Sequence, residues 1–247
     1  MVRTDARPLL ATGAAELGLD LSPDQLARFD RHYTLLERGR RRAALTSVSG
    51  REAVQRRHFL ESLALLRALE EADILAADRP ATLLDLGTGA GLPGLPMKIA
   101  RPQLSLTLLD ATAKKTSFLR ELLEELALPD VRVLTARAEE LGHDPEHRET
   151  YDVVVARAVA PLAALLELAL PFLKVGGVLA APKGSGAPRE ISAAQRALDL
   201  LGGALLSAAP LHIPGGRYRQ TLILVTKTAP TPEKYPRRTG LPQKRPL

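Results

Sequence analysis

Asp85-Leu86-Gly87-Thr88-Gly89-Ala90-Gly91-Leu92-Pro93-Gly94 ends a short apolar run, Thr82–Leu86, and places four glycines within ten residues. Glycine adopts positive φ without a Cβ penalty and lets a ligand approach the backbone. The segment therefore reads as a strand-to-helix turn that cradles a bound group. Outward from it, short Leu- and Val-rich runs recur at Leu104–Leu109, Val131–Leu134, Val153–Ala156 and Val178–Ala181. Helical segments fit between them at Pro96–Ala100, Thr116–Ala127, Pro161–Leu173 and Glu190–Leu201. Nearly all-apolar strands alternating with helices imply a parallel sheet covered on both faces. Two further strands, Leu205–His212 and Thr221–Thr226, have no helix between them, and the Pro214-Gly215-Gly216 turn makes them an antiparallel hairpin.

Upstream, the chain reads as helices. Ser22-Pro23-Asp24-Gln25 is a capping-box start, and Leu26, Phe29, Tyr33 and Leu36 follow at helical spacing. A second helix is expected from Glu52 to Leu75. Three parts result: an N-terminal helical segment over 1–79 packing on the core, an α/β domain over 80–229, and a basic, Pro-rich, extended tail over 230–247 without a core of its own.

The 247 residues are 45% hydrophobic and 25% charged, an ordinary globular composition. The absence of cysteine excludes disulfides, Cys-ligated metals and cysteine nucleophiles, and fits a reducing, cytoplasmic setting. Neither a signal peptide nor a membrane-length apolar run is visible. The net charge is +6, unevenly spread. Arg28–Arg57 holds nine arginines against three acids, and Lys227–Leu247 holds six cations against one, leaving an acidic body between basic segments. That is a footprint for a polyanionic partner, with a solvated helix face and a loose tail as the bland alternative. Aromatic residues make up 3% with no Trp, which disfavours a single-strand binder built on stacking.

Two ligand classes use such a glycine turn. Gly89–Gly94 formally fits the G-x-G-x-x-G of dinucleotide folds. Asp85–Gly91 fits D-x-G-x-G-x-G, the form used for S-adenosylmethionine. A carboxylate beside the loop favours that ligand's ammonium and sulfonium and repels a pyrophosphate. Asp110 at the next strand end is placed for ribose hydroxyls, and Glu139 after the third strand can reach the adenine amino group. A loop cap for Asp85 and a helix N-terminal charge for Glu139 are the structural alternatives. Carboxylates at three successive strand ends favour the methyltransferase reading, in which one reversed strand near the C-terminal end completes a class I, Rossmann-like sheet.

The sequence resembles the RsmG (GidB) family of 16S ribosomal RNA guanine-N7 methyltransferases from about Tyr33 onward. The resemblance rests on His58-Phe59-Leu60-Glu61-Ser62-Leu63, on Asp85–Gly94 with its Pro-Gly ending, and on Asp110–Leu119. It continues through Ala136–Glu139, Asp152–Ala160, Lys183-Gly184 and the basic Tyr235–Leu247. Leu36–Arg38 and Ala44–Thr46 depart from the family's usual W-N and N-L-T. The resemblance implies methyl transfer to N7 of a guanine in the decoding-region loop (position 527 in the family's naming). It also implies a 16S rRNA, 30S-subunit or assembly-intermediate partner, and cofactor contacts at Gly87, Leu92, Asp110, Ala111, Thr112, Ala138, Glu139 and Arg157. Asp85, Gly89 and Gly91 join these from the loop pattern. A monomer in the cytoplasm is expected, with no metal site and no membrane partner.

The residues constrain the reaction independently. Adenine and cytosine amino-group methylation calls for [DN]-P-P-[YF] after the fourth strand, where Ala156-Arg157-Ala158-Val159 stands instead. Pyrimidine carbon methylation usually calls for a cysteine. Guanine N7 offers an in-plane lone pair and needs no general base, so positioning carries the catalysis. Arg157, Arg137 and Lys183 are the candidate pocket cations, for phosphate, guanine O6 or the cofactor carboxylate. Candidate RNA contacts are Arg40, Arg41, Arg42, Lys114, Lys115, Arg219, Arg237 and Arg238, with solvated-helix capping the alternative for the lysine pair. His58 reads as a helix-packing histidine. A non-catalytic ribosome-assembly factor and a methyltransferase for another RNA site remain alternatives.

Overall fold

The computed structural model describes residues 7–40, 45–76, 78–216 and 219–247. Arg41 and Arg42 lie outside them. A seven-stranded sheet runs β3 (Arg132–Thr135), β2 (Ser105–Asp110), β1 (Thr82–Leu86), β4 (Tyr151–Val155), β5 (Leu173–Lys183), β7 (Gln220–Lys227), β6 (Gly203–Leu211). The first five are parallel, and β7 is reversed against both its neighbours. This is the expected sheet with one reversed strand. Chain order reverses between β1 and β4, so their carboxyl ends open a crevice, the usual ligand position in such folds.

Strand side chains alternate between two cores. Leu83, Val153 and Val155 face a core shared with the N-terminal helices, while Leu84, Leu86 and Val154 face the other side. The first side is covered by α5 (Gly94–Ala100), α6 (Ala113–Leu126) and the N-terminal elements α1 (Arg7–Glu16) and α2 (Pro23–Gly39). Ser22 caps α2 as its sequence predicts: its hydroxyl accepts from Gln25 N and the Gln25 side chain accepts from Ser22 N. Arg40, at the end of α2, pairs loosely with Glu37 at 3.8 Å.

The expected helix over Glu52–Leu75 is not uniform. A short α3 (Arg51–Val54) passes into a π-helical turn (Gln55–Leu60) and then α4 (Glu61–Glu71). Such turns inside helices are frequent at functional sites. The opposite sheet face is covered by α8 (Leu162–Ala169), α9 (Ala187–Ala193) and α10 (Gln195–Leu201). Pro171 cannot donate a helical hydrogen bond, and α8 ends in a 3-10 turn (Leu170–Phe172) before it reaches Leu173. A further short helix, α7 (Ala138–Leu141), follows β3.

The tail requires a correction. The segment after Pro230 lies against the sheet domain, with Thr231 and Tyr235 buried and a four-residue helix, α11 (Leu241–Lys244), near its end. Arg148 donates to the carbonyls of Gly142, Tyr235 and Thr231, and His143 Nε2 meets the Pro236 carbonyl at 2.7 Å. Arg237, expected on RNA, forms a two-pronged pair with the fully buried Glu167, at 2.7 Å through Nη2. A buried carboxylate needs such a partner, so local proline content did not decide the tail's course.

Candidate active site

The glycine loop folds over the carboxyl end of β1, where Asp85 stands opposite Val155 of β4. Gly87, Gly89 and Gly91 all have positive φ. The Gly87 and Thr88 amides donate to the Leu109 carbonyl, hooking the loop across β2. A Cβ at Gly91 would come within 2.3 Å of the Leu95 side chain, whereas one at Gly89 would meet nothing within 4 Å. Gly91 is thus a packing requirement, and Gly89 faces open space.

Asp85 is fully buried. Its Oδ2 accepts from the Thr88 hydroxyl at 2.7 Å and the Gly94 amide at 2.8 Å, while Oδ1 has no hydrogen-bond partner. Gly94 opens α5, so the carboxylate covers an amide that dinucleotide folds direct at a pyrophosphate. Burial pushes the Asp85 carboxyl up to about 6, against the pull of these two donors. Asp110 accepts from the Gly89 and Thr112 amides at 3.1 and 2.8 Å, with Lys115 Nζ at 3.6 Å. An ionised carboxylate keeps further lone pairs beyond these. Ala111 and Thr112 are exposed beside it, and Leu92 is buried under the loop.

A cleft of about 1840 Å³ opens above the loop. The glycine loop forms its floor, the π-helical turn and the segment before it one wall, and Ile213, Gly215, Gly216, Arg219 and Gln220 another. Arg157 and Lys183 both line it. Arg157 Nη1 lies 3.2 Å from Glu61 Oε1 and donates to the Arg57 carbonyl at the same distance. Lys183 pairs with Glu190 at 2.8 Å and donates to the Ala160 carbonyl. Arg137, the third candidate cation, is exposed at the start of α7 and does not line the cleft.

Among the candidate RNA contacts, Arg219 and Lys115 line the cleft, whereas Lys114 and Arg238 are exposed elsewhere. Ala138 is half-buried, and Glu139 Oε1 accepts from the Gly240 amide of the tail at 2.8 Å. The sequence reading missed the cleft roles of Arg51, Arg56, Arg57, Glu61 and His58. The His58–Leu63 block was the available signal for the last two; the others had only the arginine density. It also missed buried His32, whose Nε2 meets the Ala90 carbonyl at 3.2 Å and ties α2 to the glycine loop. No cluster of three metal-ligating side chains occurs among the described residues. No helix among them is long and apolar enough to cross a membrane.

A sheet of this order with a glycine loop at the β1 end has the fold of class I S-adenosylmethionine-dependent methyltransferases. An Aquifex aeolicus enzyme of that description matches with a TM-score of 0.51 and 19% identity, over 68% of this chain and 92% of its own. A putative sarcosine dimethylglycine methyltransferase from Galdieria sulphuraria matches at 0.52 and 17%, over 72% and 86%. The chain belongs to the family described as rRNA small subunit methyltransferase G, whose model matches residues 25–219. Relatives named ribosomal RNA small subunit methyltransferase G are 48% identical in Chloroflexus aggregans, over the full length of both chains. The relative of that name in Deinococcus radiodurans is 46% identical, over 98% of this chain and 92% of its own.

Proposed function

We propose that the protein methylates N7 of a guanine in the decoding-region loop of 16S rRNA, using S-adenosylmethionine, on the small subunit or its assembly intermediate in the cytoplasm. The observation that carries the cofactor assignment is Asp85: one oxygen covers the α5 amide, and the other is buried without a partner beside the loop. That environment suits a cationic amino acid moiety and disfavours a pyrophosphate. When bound, S-adenosylmethionine supplies the electrophilic methyl group. Gly87, Gly89 and Leu92 would hold it along the loop, and Asp110, Ala111 and Thr112 at the ribose end. Ala138 and Glu139 would line the adenine side.

Guanine N7, with its in-plane lone pair, would accept that methyl group directly. No proton leaves before attack, which agrees with a cleft whose histidine is too weakly basic to take one. Burial and the Arg157 charge lower the His58 pKa to about 3. Arg157 serves guanine O6 or the cofactor carboxylate, not N7, which must stay free. Arg219 and Lys115 serve RNA phosphates. Small-subunit rRNA as substrate is supported by the relatives' printed name and the basic cleft rim, and the guanine N7 by the sequence resemblance described above. The test is methyl transfer from labelled S-adenosylmethionine to small-subunit RNA lacking the modification, naked and as 30S particles, followed by mapping of the labelled base. Label confined to one guanine N7 is the expected result; cofactor binding without transfer to either form would refute the substrate assignment.

Cofactor affinity is expected to weaken as the pH falls below about 6, the value to which burial raises Asp85. A cationic ligand favours the ionised carboxylate, so each pH unit below that point costs up to about tenfold. The sign for the unliganded fold is opposite. Protonated Asp85 contributes stability that is fully present below its ordinary value of 3.8 and is lost as pH rises through about 6. Titration calorimetry between pH 7.5 and 5 (values chosen to span roughly one unit either side of the Asp85 midpoint) measures the first effect; a flat profile would remove Asp85 from the cofactor site.

A further inference from the structure

His58 sits in the π-helical turn with its ring 8% exposed, between the cleft wall and Arg157. Its Nδ1 lies 2.9 Å from the carbonyl of Arg57 and its Nε2 2.8 Å from the Thr46 hydroxyl. Thr46 Oγ1 also accepts from the Val48 amide at 3.1 Å. Of the two neutral tautomers, one suits both short contacts of the ring. A carbonyl cannot donate, so Nδ1 carries the hydrogen and gives it to Arg57 O. Nε2 then holds the lone pair and accepts from Thr46, whose oxygen is already accepting from Val48. The Arg57 carbonyl thereby receives two donors, His58 Nδ1 and Arg157 Nη1, and Glu61 takes the same Arg157 nitrogen from the other side. Arg157 Nη2 lies 3.4 Å from His58 Nδ1 and could donate to it only in the opposite tautomer, which would set the Nδ1 lone pair 2.9 Å from the Arg57 carbonyl oxygen.

We propose that His58 is a positioning residue for Arg157: through the shared Arg57 carbonyl it fixes the guanidinium over the cleft floor and couples it to the Thr46 wall. The inference rests on the methyltransferase reading above. Thr46, Arg57, His58 and Arg157 all line the cleft, so substrate pressed against the Thr46 segment reaches Arg157 through one side chain and one carbonyl. Cationic His58 would place a second positive charge against the guanidinium. Burial and Arg157 together exclude that form at neutral pH. Displacing a positioned group by about 1 Å can cost on the order of 10²-fold in rate, so the geometry has kinetic weight.

The variants separate the two ring nitrogens. In His58→Asn the amide nitrogen occupies the place of Nδ1 and keeps the donation to Arg57. His58→Gln reaches toward Thr46 and loses that donation, and His58→Ala loses both. On small-subunit particles, His58→Gln and His58→Ala are expected to lower kcat by about tenfold or more, with cofactor Kd and KM for particles within about twofold. His58→Asn should retain most of the rate. In an Arg157→Ala background, His58→Ala should add little, because residues that act through one another are non-additive. An equal penalty in both backgrounds, or His58→Asn as impaired as His58→Ala, overturns the proposal. The imidazole nitrogen shifts of ¹⁵N-labelled wild-type protein supply a readout that needs neither activity nor a variant. An Nδ1–H tautomer unchanged down to about pH 5 is expected, and an Nε2–H tautomer overturns the relay. Wild-type protein that transfers no label would overturn the functional reading instead, with the tautomer still deciding the positioning claim.

Discussion

Arg157→Ala is expected to lower methyl transfer by roughly 10²–10³-fold, the range for losing one preorganised donor at a reacting centre. Arg157 follows β4 at the crevice where chain order reverses, beside the glycine loop, and its charge acts on Asp85. The alanine variant also strands Glu61, whose side chain is 10% exposed and loses its ion-pair partner at 3.2 Å. Some loss of thermal stability therefore accompanies the kinetic effect, and rates must be taken per folded molecule. Arg157→Lys separates the two. It keeps a charge for Glu61 but not the planar fork that reaches Glu61 and the Arg57 carbonyl together. Its melting temperature should stay near wild type while its turnover falls nearly as far as that of alanine. Full turnover in the lysine variant would reduce Arg157 to a charge and remove its geometric role.

Arg237→Ala is expected to be the most destabilising single change in the tail. Glu167 is buried without exposure, and four Arg237 hydrogen bonds at 2.7–3.1 Å satisfy it, three from the guanidinium and one from the backbone amide, which alanine would keep. Removing one partner of a buried pair typically costs 3–5 kcal/mol. The Arg237 side chain is one quarter exposed, so about 3 kcal/mol is appropriate here. For a chain of this size that corresponds to a fall in melting temperature of roughly 6–12 °C. Glu167→Leu combined with Arg237→Met should recover most of it, since apolar replacement of a buried ion pair is often neutral or better. Calorimetry of the three proteins decides the matter. An Arg237→Ala protein that melts with wild type would show that the Arg237–Glu167 pair contributes nothing to the fold.

The sheet was legible because its inner strands β1, β2, β4 and β7 are near-continuous apolar runs, and burial on both faces requires that pattern. The outer β6 is largely exposed and was marked instead by the Pro214-Gly215-Gly216 turn. The glycine loop was legible for a related reason: positive φ at Gly87, Gly89 and Gly91 leaves few alternatives to glycine. The π-helical turn left no such mark. Leu60, which ends it, and Leu63 and Leu66 of α4 keep ordinary helical spacing, so the apolar periodicity reads as one unbroken helix. The tail was misread for another reason. Its proline content is local, whereas its partners Glu139, Glu149 and Glu167 lie far upstream. Nothing in the neighbourhood of Glu149 or Glu167 marks it as a tail partner, and Glu139 reads as a cofactor contact. Arg237 likewise reads as one more surface cation until Glu167 is placed beside it. Lys183 and Arg137 show the limit for the site: both follow strands, yet only the former lines the cleft.

The two walls of the cleft touch through Arg56, whose Nη1 donates to the Gly215 carbonyl at 3.4 Å. A contact that long, on an exposed side chain, is worth about 1 kcal/mol or less. Thermal motion parts the walls far faster than two macromolecules meet, so the bridge sets no kinetic ceiling on encounter. The rate of arrival then depends on long-range attraction between the arginine-rich rim and a polyanion, and slows as ionic strength rises. The bridge re-forms only after the cleft empties, so it takes no part in departure either. A side chain at 215 would meet Arg56 Nη1 at 2.1 Å, at a φ of +61°; the guanidinium swings aside, so the bridge is lost while the salt-dependent encounter stays as it was.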